Sequence, residues 1–381
     1  MRTDTIVILG GHIQALGLAR QAKSSQLKVI LVLADGFSVA RFSNCVDYVY
    51  ICKERVTLLD KLRKLAGQNV MLFPTSDDYI NFIIENYTEL NSLFYVALPA
   101  PGVVELFADK RNTYKFAEAN NIYHPQSYYP TSIEEVHEIA DKLTYPQVIK
   151  PAVMYSFHKQ FGRKAFLCAN SDELIDITNK ISQTYPVDGL VIQEFMSGGA
   201  KNLYSYGVFA IEGEVKVSIM ANRIRQNPMD FGNSTTFAIT CDIPEIEKAA
   251  KHIIKLTNYT GMGEIEFMYD KGKYKFLEIN TRAWKWHTLS EGRNFGFLSE
   301  WIAWLNGEPL TVPNDKEIAW VERLTDSAVV VKELFKGKLS LKEVFQSYNN
   351  NKIVFGVWNL HDPLPAIMYV LQSPILYFKR H

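Results

Sequence analysis

The stretch that decides the fold is GMGEIEFMYDKGKYKFLEINTR, Gly261–Arg282. Two apolar-rich runs flank the turn sequence Asp270-Lys271-Gly272-Lys273, so the stretch reads as a β-hairpin. Side chains alternate faces along a strand. Glu264 and Glu266 therefore share one face of the first strand, and Glu278, Asn280 and Arg282 share one face of the second. Closing the hairpin brings Glu266 near Glu278 and Asn280. Oxygen donors gathered on one sheet face suit a hard cation such as Mg²⁺. Arg282 stands beside them, where a planar donor fork fits a phosphoryl group. The plainer alternative is a solvated face held by cross-strand charge pairs. Against it, Ile265, Phe267, Phe276, Leu277 and Ile279 are apolar, so at least one face of the hairpin is packed.

Upstream, apolar strand-like runs at Thr5–Leu9, Lys28–Leu33, Tyr48–Cys52 and Val70–Phe73 alternate with helical spacing at Ile13–Lys23, Val56–Ala66 and Asp77–Asn86. That alternation predicts a parallel sheet with helices on both faces. Pro99-Ala100-Pro101-Gly102 breaks it. Beyond the break a helix opens near Asp109, and Ser132 with Glu135 predicts a capped helix over Ser132–Leu143. Further strands are expected at Gln147–Lys150, Ala165–Ala169, Leu190–Glu194, Tyr204–Ile211 and Glu214–Met220. The fold class is α/β with an α+β lid. The expected domains are 1–105, 106–312 with a lid at about 122–192, and a short mixed C-terminal tail at 313–381 carrying a helix near Leu341–Ser347.

The pattern G-x-G-x-x-E-F followed by L-E-I-N-x-R, with Glu266 and Glu278 twelve positions apart, resembles the metal-binding hairpin of the ATP-grasp superfamily. Biotin carboxylase, carbamoyl-phosphate synthetase and D-alanine–D-alanine ligase belong to that family. The resemblance implies that Glu266, Glu278 and Asn280 hold Mg²⁺ (two ions, with Mn²⁺ as a substitute) against ATP phosphates, and that Arg282 is catalytic. Asp109-Lys110 is similar to the family's helix-opening "DK", and Tyr145–Pro151 to its "P-x-V-x-K-P" strand. Lys110 and Lys150 would then contact phosphates. Val191–Met196 resembles the hinge that holds adenine, which implies cofactor-binding roles for Gln193, Glu194, Phe195 and Met196. The phosphate-covering loop, Met154–Lys164, has the single glycine Gly162 where the family's loop is glycine-rich, and Lys164 is its candidate phosphate ligand. The family's ribose-binding acid is missing, and Asn202 stands in its place. Arg223 and Arg225 alternate on one strand, and the resemblance turns them towards the phosphates, with Arg225 catalytic. His287, beside Trp284 and Trp286, is either a substrate contact or a packing residue. The N-terminal 105 residues resemble the Rossmann-like domain that precedes the ATP-grasp fold and often helps to build the acceptor site. Ala40-Arg41-Phe42-Ser43 is similar to a turn of D-aspartate-ligase-like members.

Composition sets the outer limits. Hydrophobic residues make up 47%, charged residues 22%, and formal net charge is zero. With no long basic run, nucleic-acid binding is disfavoured. The four cysteines form no CxxC pair, as expected of free thiols in a cytoplasmic protein. Gly10-Gly11-His12 does not continue as G-x-G-x-x-G, and there is no GxxxxGK[ST], so dinucleotide and P-loop sites are disfavoured. No apolar run reaches the ~18–20 residues of a membrane span. The expected activity is an ADP-forming carboxylate–amine ligase acting through an acyl phosphate. Its partners would be a small carboxylate, for example an amino acid, an amine, and a second copy in a homodimer. The competing readings are activation of another acid such as bicarbonate, and an ATP-binding module without turnover. Asp362-Pro363-Leu364-Pro365 reads as either a docking element or a plain turn.

Overall fold

The computed structural model describes residues 3–153, 157, 160–163, 165–229, 232, 234–349 and 352–380, with 374–380 described by backbone alone. The chain divides into two compact units. One comprises Met1–Pro101, Gly199–Ile265 and Asn280–His381; the other comprises Gly102–Gly198 and Glu266–Ile279.

The first unit begins with the expected parallel sheet. Its strands are β1 (Thr5–Leu9), β2 (Lys28–Leu33), β3 (Tyr48–Ile51), β4 (Val70–Pro74) and β5 (Tyr95–Val96), in the order β3-β2-β1-β4-β5. Ile6 pairs with Val29 on one side and Met71 on the other, and β1 is fully buried after Thr5. A strand covered on both faces needs a continuous apolar run, which Ile-Val-Ile-Leu supplies. Strand order reverses between β1 and β4, the place where open α/β sheets form a crevice at their carboxyl ends. Gly10 turns the chain there at φ +107°, and a Cβ on it would lie 2.2 Å from the Thr75 hydroxyl oxygen.

The second unit carries a four-stranded sheet in the order β6-β9-β7-β8: β6 (Ser127–Tyr128), β7 (Gln147–Pro151), β8 (Phe166–Cys168) and β9 (Leu190–Glu194). Helices Ile133–Ala140 and Ser171–Ser182 supply Val136, Leu174 and Ile181 to a core with Ile149, Phe157 and Ile192. The expected capping box forms by half. The Ser132 hydroxyl accepts from the Glu135 amide, but the Glu135 carboxylate reaches back to the amide of Thr131.

The remaining strands are β10 (Leu203–Ile211), β11 (Glu214–Asn227), β12 (Ser234–Thr240), β13 (Gly261–Asp270), β14 (Lys273–Asn280), β15 (Ile318–Val321) and β16 (Lys352–Phe355). They form one sheet in the order β14-β13-β10-β11-β12-β15-β16. The β13–β14 hairpin is therefore present as read from the sequence. The division between units cuts it after Ile265 and before Asn280. Strand β11 runs seven residues beyond the expected Met220 and carries Arg223 and Arg225. The C-terminal residues are also more ordered than a mixed tail. Ile-Ala-Trp-Val of β15 is wholly buried, pairs antiparallel with β12 and parallel with β16, and so extends the central sheet.

Two sequence features of open meaning turn out to meet. Arg20 donates from Nε to the Asp362 carboxylate at 3.0 Å, and the Ser43 hydroxyl and Asn44 amide donate to the same carboxylate at 2.7 and 3.0 Å. Arg20 also donates to the backbone oxygens of Val357 and Asp362. The Ala40–Ser43 turn is thus the seat of Asp362. This buried carboxylate is charge-compensated and fully bonded, and such a group is costly to lose from one side only. Asp362→Ala is expected to lower unfolding free energy by about 3–5 kcal/mol, read as a shifted urea midpoint. A shift below about 0.5 kcal/mol, the size of an ordinary surface change, would show that the clamp does not hold.

Candidate active site

In the second unit, strand β7 has the burial alternation of a half-covered strand, and Lys150 is one of its half-buried positions. Its ammonium donates to the Gln193 side-chain oxygen at 2.7 Å and to the Tyr114 hydroxyl at 3.1 Å, and lies 5.2 Å from the Tyr114 ring centroid. Gln193 sits on β9, opposite Val148 in register, and its amide nitrogen is anchored by Ser127 at 2.7 Å. Gln193 therefore orients a lysine. Tyr114 was not singled out in the sequence. It lies one helical turn after Lys110 on the helix Lys110–Ala119, so the two share a face.

Asp109 caps that helix by accepting from the Arg111 amide at 2.8 Å. Lys110 donates to Glu278 at 2.8 Å. The two lysines are driven in opposite directions. For Lys110 burial works against the charge, but the carboxylates of Glu278 and Glu266, with Tyr114, outweigh it and hold the ammonium above its ordinary range. For Lys150 burial dominates; the like charge of Lys110 adds to it, and its pKa falls. A short region of the second unit thus joins a cation-stabilising carboxylate pair to an ammonium short of counter-charge. Hard oxygens in a field that already stabilises a cation fit a divalent metal.

The hinge residues Glu194, Phe195 and Met196 are half-buried. The Glu194 carboxylate pairs with Lys275 and accepts from the Gln126 amide at 2.9 Å. The amides of Glu194 and Phe195 donate to the backbone oxygens of Gln126 and Pro146. The side chain of Glu194 is thus part of the framework. Lys164 lies outside the described residues, as do residues 154–156, 158 and 159 of the same loop.

In the first unit the hairpin root is organised by Glu264, which is 3% exposed. Its carboxylate accepts from Arg223 at 2.7 Å, Trp286 at 2.9 Å and the Asn280 side-chain nitrogen at 3.0 Å. Asn280 is half-buried at the end of β14, and Asn202 closes a short 3₁₀ turn before β10. Arg282 is held as a fork by Asp77, with Nε–Oδ1 at 2.7 Å and a second nitrogen at 3.2 Å from Oδ2. Asp77 is the first residue of the helix that follows β4, so Arg282 lies by the carboxyl end of the parallel sheet. Nothing in the sequence flagged Asp77.

Arg225 departs from expectation. Its guanidinium bonds Asp326 through two nitrogens at 2.9 and 2.8 Å and the Ser347 hydroxyl at 2.9 Å, and stacks 4.2 Å from the Phe237 ring centroid. It is 1% exposed. Its fork is spent on an internal pair, which leaves no open face for a substrate. The cause is Asp326, in a tail segment from which sequence reading drew no partner. Arg223 is likewise committed, to Glu264 and the Ser205 hydroxyl. His287 is a core residue. Burial pushes its pKa down to about 4, Nε2 meets the Gln14 backbone oxygen at 3.1 Å, and the ring is neutral at pH 7. Among the described residues no group of three or more His, Cys, Asp and Glu forms a metal cluster.

The profile of the family described as carbamoyl-phosphate synthase L chain, ATP binding domain, matches residues 109–294. A biotin carboxylase from Nostoc sp. is 25% identical over 256 residues, 62% of this chain and 55% of the relative. The chain thus spans about half the length of that curated relative. Among solved structures, the biotin carboxylase domain of Hydrogenobacter thermophilus 2-oxoglutarate carboxylase, in complex with MgADP and bicarbonate, has a TM-score of 0.66 at 15% identity. That match covers 84% of this chain and 74% of the other. An L-amino acid ligase from Bacillus licheniformis has a TM-score of 0.60 at 16% identity, covering 79% and 73%. These structural likenesses agree on the fold. The chain is thus similar, over residues 109–294, to the carbamoyl-phosphate synthase L chain, ATP binding domain, and shares the fold of the biotin carboxylase domain.

Proposed function

We propose that this protein is an ATP- and Mg²⁺-dependent carboxylate–amine ligase that forms an amide through an acyl phosphate. The observation that carries the reading is the Lys110–Glu278 pair beside the charge-starved Lys150, a cationic region at Glu278 of strand β14, near the open end of the hairpin. Glu266, Glu278 and Asn280 are the proposed metal ligands. Bound Mg²⁺ would neutralise phosphate charge and hold the terminal phosphoryl group in line for attack. Lys150, oriented by Gln193 and Tyr114, meets phosphate with a cation that gains a counter-charge on binding. Arg282 exchanges Asp77 for the transferred phosphoryl group. Phe195 and Met196 are the proposed adenine contacts, with Asn202 near the ribose and Lys164 over the phosphates. The proposed organisation keeps residues 1–105 as the domain before the ATP-grasp fold.

In the first step a carboxylate oxygen of the substrate bonds to the γ-phosphorus as the bond to ADP breaks. In the second an amine nitrogen attacks the acyl carbon, phosphate leaves with its oxygen, and the amine proton passes to phosphate or solvent. Positioning and charge neutralisation supply most of the rate. The fold shared with an L-amino acid ligase supports amino acids as the first substrates to try, and the fold shared with a bicarbonate-bound domain puts bicarbonate in the same panel. A homodimer is proposed alongside, since the Hydrogenobacter domain is described as a dimer.

Phosphate release from MgATP with pooled amino acids and small carboxylic acids, with hydroxylamine as trap, tests the reading. An acid-dependent release that yields a hydroxamate is the expected result. Glu278→Gln is expected to cut it at least about 10–100-fold, since even outer-shell changes at metal sites cost that much. Nucleotide binding without release from any pool would favour the module without turnover.

The lysines give a second expectation. Phosphate favours the charged form of Lys150, whose pKa is lowered in the free protein. Affinity for MgATP should therefore weaken as pH rises through that lowered value, before the ordinary lysine value of 10.5 is reached. Titration calorimetry from neutral to alkaline pH should show the weakening in the native chain and not in Lys150→Met. An identical profile in both would remove Lys150 from the phosphate site.

A further inference from the structure

The C-terminal segment exposes apolar side chains in an unusual arrangement. Helices Arg323–Phe335 and Leu341–Tyr348 are joined by a turn in which Gly337 has φ +66°. Val331 and Phe335 lie four apart on the first helix, and Leu341 and Phe345 four apart on the second, so each pair forms a stripe. All of them are exposed, Phe335 by 88% and Phe345 by 72%. Lysines 332, 336, 338 and 342 are interleaved with them and are also exposed. The acids nearby do not offset the whole charge. Glu333 is buried, with Lys336 at 3.2 Å, and Glu343 is taken up by Lys201 and by Ser340. Residues 331–346 hold four lysines and two glutamates, a net charge of 4 − 2 = +2.

A second element of the same segment behaves alike. The helix Leu364–Arg380 turns Tyr369 inward to meet the Thr325 hydroxyl at 3.4 Å, and leaves Leu364, Ile367, Val370 and Leu371 exposed. The sequence has no charged residue from Pro363 to Phe378, and Lys379-Arg380 follow. No helix of the described residues is long and apolar enough to cross a membrane.

We infer that the exposed apolar and lysine side chains of residues 331–345, with the exposed aliphatic side chains of residues 364–371, dock this protein on the surface of an anionic lipid bilayer. A second copy is a poor occupant. A two-fold interface would bring each lysine set against itself, and like charges brought together are repelled. A protein partner is disfavoured because lysine is depleted from protein interfaces while it is interleaved through this one. A bilayer accepts both features. Phe335, Phe345 and the exposed aliphatic residues enter the acyl boundary while the lysines extend their stems and keep their ammonium groups among anionic headgroups. The segment lies against the surface and does not span it. This inference rests on the patch alone and stands apart from the ligase reading.

Co-sedimentation of the full chain with vesicles tests it. The protein should partition at least about tenfold better onto mixed phosphatidylcholine–phosphatidylglycerol vesicles than onto phosphatidylcholine alone, and less well as salt rises. Phe335→Asp and, separately, Lys338→Glu with Lys342→Glu should each lower that partition at least about tenfold, while the thermal melt and nucleotide binding stay as in the native chain. Equal partition on both vesicle types, no sedimentation with either, or variants that bind as well as the native chain would each overturn the proposal. So would a concentration-dependent dimer by light scattering that Phe335→Asp abolishes, since the patch would then be covered by a second copy.

Discussion

One buried carboxylate sets the frame on which the hairpin depends. Glu264 on β13 is bonded by Arg223 of β11, Asn280 of β14 and the Trp286 indole, and Arg223 in turn binds Ser205 of β10. A charge removed from water must be compensated and hydrogen-bonded or it is strongly destabilising. Meeting that demand ties four strands in one register. Strand periodicity then carries the consequence along β13: two residues beyond Glu264 stands Glu266.

The second unit solves a different electrostatic problem with similar means. Two lysines are held by the same helix–strand arrangement, one against a carboxylate and the other against an amide and a phenol. Neutral partners orient Lys150 without supplying counter-charge. Preorganised cations of this kind need no rearrangement when an anion arrives, which is the condition under which electrostatics contributes most.

The C-terminal residues have three distinct uses in the fold. Strands β15 and β16 extend the central sheet, Asp326 neutralises Arg225, and Asp362 sits in the turn around Ser43. Each is a long-range contact between stretches far apart in the chain. Asp326 and Asp362 each also bond a buried polar group, Arg225 and Ser43. Having supplied those partners, the same segment still leaves its phenylalanine and leucine stripes facing outward.

The local features were legible from the residues alone. The alternating strands and helices of the first hundred residues, the hairpin with its turn at Asp270–Lys273, the lysines before and on β7 and the capping serine at 132 are all short-range patterns, set by periodicity and turn chemistry. The sequence by itself determined the fold class and the local elements, and its resemblance to a family named the residues now proposed for a cation and phosphates. Tertiary structure alone decided how each charge was spent. Arg225 and Arg282 read as equals in the sequence, yet one is closed by Asp326 inside the core and the other is held by an exposed Asp77. Residues 101 and 205 positions away supply those partners. Periodicity is a local property, whereas the pairing of a buried charge depends on which distant carboxylate the packed fold brings within about 3 Å.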